Sequence, residues 1–189
     1  MNETIIVFDT ETNGAKTQDG RLDMQGQQIV QLAWIISHPD GTETRNNHII
    51  CGATYIDYGV PHSISINDTK NGDDFSVVID KFMSDVMRAD KVVAHNISFD
   101  RDVISREMRK RDIPPFTFER AIRSKGFCTM YKSKILCDMK NKNGNLKVPK
   151  LSELHNFLFG CEPTGCLHDA LYDCEVTLVC YKGLKKYTI

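Results

Sequence analysis

The sequence predicts an α/β fold: a mixed sheet that opens with an antiparallel hairpin and continues in parallel strands flanked by helices. Three observations carry that expectation. Residues 4–8 and 28–37 (QIVQLAWIIS) are apolar runs rich in β-branched side chains, and the second ends in the turn sequence His38-Pro39-Asp40-Gly41. Residues 74–88 place Phe75, Val78, Ile79, Phe82, Val86 and Met87 at helical spacing. They lead into a further apolar run at 91–94. A strand pair followed by helix and strand is the pattern of layered α/β proteins, whose ligands sit at the carboxyl ends of the strands.

The elements follow in order. The turn at 38–41 should return a third strand over 42–50. Ser98 reads as the N-cap of a helix running to Arg111, with Pro114-Pro115 stopping any continuation. Residues 127–130 read as a short edge strand and 139–149 (MKNKNGNLKVP) as a mobile surface loop. Two helices close the chain, over 150–159 ending at Gly160 and over 169–185. No repeat, low-complexity tract or Pro/Ser-rich linker interrupts residues 1–189, which are read as a single domain.

Composition narrows the function classes. The chain is 41% hydrophobic, an ordinary value for a globule. It opens with no basic segment leading into an apolar stretch, and no run approaches the roughly 18 apolar residues of a membrane span. Export and membrane insertion are therefore not expected, and a cytoplasmic location is. Seven scattered cysteines, an odd number, fit reduced thiols. Cys161, Cys166 and His168 lack the C-x2-C pairing of structural zinc sites.

The net charge of −1 hides three blocks: 7 Lys+Arg against 15 Asp+Glu over 1–100, 14 against 5 over 101–150, and 3 against 5 over 151–189. A basic block between acidic ones suits a polyanion-binding surface beside carboxylates that hold cations. It equally describes a solvated helix face with a lysine-rich loop.

Three short constellations carry chemistry. Asp9 and Glu11 follow the run 5–8, and side chains two apart on a strand share a face. Two like charges so placed call for a cation between them, and oxygen ligands select a hard ion such as Mg²⁺ or Mn²⁺. Asp100 lies just beyond the run 91–94, at the start of a helix, where a carboxylate also suits the helix dipole. His168 and Asp173 are five apart, about 140° of helical rotation, so the histidine belongs on the loop entering the last helix and Asp173 on the helix itself. Taken singly, each has a plain structural alternative in a strand cap, a helix cap or a surface histidine. Together they could converge on one edge of the sheet.

At this point the sequence resembles the DEDDh, or DnaQ-like, 3′-5′ exonuclease superfamily, the relatives of the proofreading subunit of bacterial DNA polymerase III. The matching stretches are Val7-Phe8-Asp9-Thr10-Glu11-Thr12-Asn13-Gly14, Ala94-His95-Asn96-Ile97-Ser98-Phe99-Asp100 and His168-Asp169-Ala170-Leu171-Tyr172-Asp173. Supporting similarity lies in Gln31-Leu32-Ala33-Trp34, in Cys128-Thr129-Met130 and in Pro149-Lys150-Leu151-Ser152-Glu153-Leu154. The resemblance implies an RNase H-like fold in which Asp9, Glu11, Asp100 and Asp173 hold two divalent ions, Mg²⁺ with Mn²⁺ able to substitute. It implies His168 as general base, the side-chain type suited to proton transfer near neutrality.

By the same resemblance Thr10, Thr12, Asn96 and Phe99 are candidates for contact with the terminal nucleotide. Residues 61–66 resemble the family's H-G-I-T stretch, with His62 and Ile64 matching and Ser63 and Ser65 departing. Arg101, Arg106, Arg109 and Lys110, on the helix that carries Asp100, are candidate phosphate contacts. The expected substrate is a nucleic acid with a single-stranded 3′ end, DNA in preference to RNA. An RNA-directed enzyme of the same superfamily and a catalytically idle binding module are the alternatives. A DNA polymerase partner, as in proofreading, is a further option, although no C-terminal tail for tethering is evident.

Overall fold

The computed structural model describes residues 3–14 and 26–187. Strand β1 (Ile5–Thr12) pairs antiparallel with β2 (Ile29–Ser37), which turns into β3 (Glu43–Ile49). The turn closes as its residues require. Asp40 Oδ1 accepts from the Thr42 N–H and hydroxyl, and Gly41 takes φ 89°, a region that favours glycine. Helices α1 (Ile66–Lys70) and α2 (Phe75–Arg88) follow, α2 starting where Asp74 caps the Ser76 and Val77 N–H groups. Strand β4 (Lys91–Ala94) then lies parallel to β1, and after α3 (Ile97–Arg109) and α4 (Phe116–Lys125), β5 (Gly126–Cys128) lies parallel to β4. The sheet order is β3-β2-β1-β4-β5. Two single-turn helices, α5 (Thr129–Lys132) and α6 (Lys134–Cys137), precede α7 (Leu151–Phe159) and α8 (Ala170–Leu184).

The pleat of β1 separates two cores. Ile6 and Phe8 face a large cluster with Trp34, Phe75, Phe82 and Phe118, where each fully buried side chain contributes roughly 1.5–3 kcal/mol. Ile5 and Val7 face the other way, against Ala170, Cys174, Leu178 and Tyr181 of α8. Asp9 and Glu11 continue that second face beyond Val7. Among the described residues no helix is long and apolar enough to cross a membrane.

Asp9 and Glu11 lie within β1, which β2 pairs as far as Thr12, with a bulge between Glu11 and Thr12. Two expectations change. Helix α3 starts from Asn96, which holds a left-handed φ of 70° and makes no side-chain cap bond, so Ser98 lies inside the first turn. Pro114-Pro115 ends one helix and starts another, since a fixed φ is compatible with a helix N-terminus. Residues 139–149 form a largely exposed loop with a turn at its centre, where Asn141 Oδ1 accepts from the N–H of Asn143 and Asn145 and an isolated bridge joins Lys140 and Leu146.

Candidate active site

The predicted carboxylates meet at the carboxyl ends of β1 and β4. Asp9 and Glu11 rise from β1, Asp100 comes from the first turn of α3 and Asp173 from the first turn of α8. With His168 they line one cleft of about 630 Å³. Asp100 is buried, and its Oδ1 accepts from both the Thr10 N–H (3.1 Å) and the Thr10 hydroxyl (2.7 Å). Asp173 Oδ2 accepts from the His168 N–H (3.2 Å), whereas its Oδ1 is buried without a partner among the described residues. His168 is exposed on the loop entering α8 with φ 73°. One ligand atom each from Glu11, His168 and Asp173 lie within 4.8 Å of one another.

Crowding these acids in a buried place opposes their ionisation. Burial first, then the charges of Asp100, Asp173 and Glu11, hold Asp9 well above the usual carboxylate range. Burial with Asp173 and Asp100 pushes Glu11 up to about 8. Burial raises Asp100 to about 7 against the lowering effect of Thr10, and raises Asp173 to about 6 against the His168 N–H. An oxygen-rich donor set that resists carrying its own charge, with one orphaned carboxylate oxygen, fits hard divalent cations.

Other predicted residues divide. Asn96 and Phe99 line the cleft, and Phe99 also borders a smaller adjoining hollow with Thr10, Thr12 and His62. His62 is buried, and its Nδ1 accepts from the Ile64 N–H, so Nε2 donates to the Thr12 carbonyl (2.8 Å). Ile64 is half-buried and lines neither hollow. Thr10 lines both hollows, and its hydroxyl donates to Asp100 Oδ1, so it also orients a carboxylate.

The four basic residues of α3 each have a partner within the protein. Arg101 pairs with Asp102, Arg106 donates to Gln27 Oε1, Arg109 pairs with Glu119, and Lys110 donates to the Gln27 carbonyl. None of the four is among the residues that line the cleft, and Arg106, Lys110 and Arg109 tie α3 to Gln27 and Glu119 of neighbouring segments.

Sequence reasoning assigned no role to Gln31, Asp169 or His95. Gln31, buried on β2 opposite Glu11, accepts from the Ala170 N–H (3.1 Å) and donates to Asp169 Oδ2 (3.2 Å) and Asn47 Oδ1 (2.9 Å). Asp169 Oδ1 meanwhile caps the Leu171 and Tyr172 N–H groups, so the start of α8 is pinned to the sheet beside His168. A lone amide inside the apolar run of β2 was the available signal.

An RNase H-like α/β fold with acidic groups gathered at its strand ends is the class that these features define. A family model for exonucleases, RNase_T, matches residues 6–181, and the chain belongs to that exonuclease family, within the DnaQ-like superfamily. No curated protein matches significantly. Among solved structures, Exonuclease I in its apo form is similar with a TM-score of 0.75 at 15% identity, over 98% of this chain and 42% of that one. E. coli Exonuclease I in complex with a dA16 oligonucleotide gives 0.71 at 15%, over 97% and 41%. A zinc-bound E. coli ExoI-ssDNA complex gives 0.70 at 16%, over 99% and 41%. The chain thus spans about two-fifths of the length of these structures.

Proposed function

We propose that residues 1–189 act as one divalent-metal-dependent 3′-5′ exonuclease unit that removes nucleoside 5′-monophosphates from single-stranded DNA ends. The observation that carries this reading is the meeting of Asp9, Glu11, Asp100 and Asp173 in a single cleft with His168 at its side. In this reading the four carboxylates hold two ions, Mg²⁺ or Mn²⁺, which when bound neutralise the acids and polarise the phosphodiester. The chain's own groups do the rest. Thr10 and the His168 N–H orient two of the carboxylates. The His168 ring takes the proton of the water that attacks phosphorus as the bond to the 3′-oxygen breaks. Phe99, Thr12, His62 and Asn96 receive the terminal nucleotide. DNA is favoured because solved structures of similar fold hold DNA oligonucleotides. The reading requires no polymerase partner.

Incubation with 5′-labelled single-stranded DNA and RNA of matched sequence, with Mg²⁺, Mn²⁺ or EDTA, tests it. Stepwise shortening of DNA with either ion and none in EDTA is expected. No shortening of either strand would reject the exonuclease reading, and shortening of RNA alone would reject the DNA preference.

A further inference from the structure

His95, the residue after β4, joins three chain segments that are distant in sequence. Its Nδ1 lies 2.9 Å from Thr129 Oγ1 at the start of α5, and its Nε2 lies 3.2 Å from the Pro149 carbonyl ahead of α7. A carbonyl only accepts, so Nε2 carries the hydrogen and donates. In the neutral ring Nδ1 then accepts from the Thr129 hydroxyl. Burial pushes the imidazole down to about 4, which makes the neutral ring the resident form.

The segment so held is a wall of the carboxylate cleft, lined by Val148, Pro149, Lys150 and Leu151. Lys150 is the one lysine or arginine among the described lining residues. Glu153 ties this segment only to itself, through the Lys147 side chain and the Lys150 N–H. Among the described residues, His95 supplies the side-chain hydrogen bond that fastens 147–152 to the end of the sheet.

We propose that His95 is a positioning residue, a latch that fixes the 147–152 wall so that Lys150 and its apolar neighbours hold the incoming strand against the carboxylates. A strand phosphate would meet Lys150, and Pro149 and Leu151 would meet sugar or base. The part that concerns substrate rests on the exonuclease reading, whereas the latch itself does not. Loosening the wall should weaken ground-state binding while leaving the reacting groups in place.

The test compares His95→Leu, His95→Gln and Thr129→Val with the unaltered protein, by hydrogen exchange of the 139–154 peptide without substrate and by KM and kcat on single-stranded DNA. Losing one such bond should raise exchange and KM in His95→Leu by about tenfold, with kcat within about twofold. Gln, which keeps a donor and an acceptor, should recover much of both, and Thr129→Val should move both less in the same direction. Unchanged exchange in His95→Leu and Thr129→Val would overturn the latch, whether or not the protein degrades DNA. Faster exchange with unchanged KM would overturn the wall's role in binding. A fall in kcat with the loss of one limb of the pH profile would make His95 an acid-base group and refute the assignment. Should His95→Leu not fold, Thr129→Val and His95→Gln still decide by the same readings.

Discussion

The two faces of the sheet, both served by β1, have opposite relations to stability. On one face Phe8 meets Phe82 and Phe118 at ring-centroid distances of 5.3 and 6.2 Å, and Trp34 meets Phe82 at 5.2 Å. The indole N–H is satisfied by Asp85 (2.9 Å). That face is close-packed and contributes to folding. On the other face Ile5 and Val7 pack on α8, but two residues further the same edge carries Asp9 and Glu11 against Asp173 and Asp100, all four resisting ionisation. Folding energy gathered on the aromatic face and in the rest of the core sustains a local conflict among acids, a pattern common at functional sites.

Substitutions break the comparison with opposite signs. Asp173→Asn should abolish detectable turnover on single-stranded DNA while raising the metal-free Tm at alkaline pH, because it removes a buried like charge and keeps an acceptor for the His168 N–H. Unimpaired turnover would break the proposed role of this face. His168→Ala should lower kcat by roughly 10²–10⁴ while Mn²⁺ binding measured by calorimetry stays largely intact. Phe82→Ala should cost about 3–5 kcal/mol in denaturant unfolding and leave turnover per folded molecule near the starting value.

The acids also set a pH dependence. Glu11, Asp100 and Asp173 stand near 8, 7 and 6 in the folded protein, above their ordinary 4.5, 3.8 and 3.8. The fold therefore prefers their protonated forms. The stability they contribute is complete below their ordinary values and is lost as pH rises through about 6 to 8. In EDTA the Tm should fall between about pH 5.5 and 8.5, and Mn²⁺ should recover it at the alkaline end. A metal-free Tm that rises over this interval would contradict the electrostatic picture. The smallest effect is expected at Arg109→Glu, which breaks an exposed pair with Glu119: roughly 1 kcal/mol or less in stability and an unchanged KM. A several-fold rise in KM would return the α3 cations to the strand's path.

Strand and helix content could be read wherever period and composition agreed. The runs before Asp9 and His95 and the helical spacing of 74–88 correspond to β1, β4 and α2. Reading failed where structure depends on partners distant in the chain. Helix α4 begins at prolines that local rules read only as a stop, and it exists because Phe118 and Ile122 reach the aromatic core. The partners of Arg106, Lys110 and Arg109, namely Gln27 and Glu119, are likewise invisible in a local window.

Among the groups of the site, the sequence alone marked which acids and which histidine to examine, through the two-residue strand period that puts Asp9 and Glu11 on one face and through the resemblance of three short stretches to the exonuclease superfamily. Only the tertiary structure decided what orients them. Thr10 on Asp100, Gln31 on Asp169 and His95 on Pro149 are hydrogen bonds across 90, 138 and 54 residues of chain. Such contacts depend on angles and distances that chain folding creates, and residue type specifies only the capacity to make them.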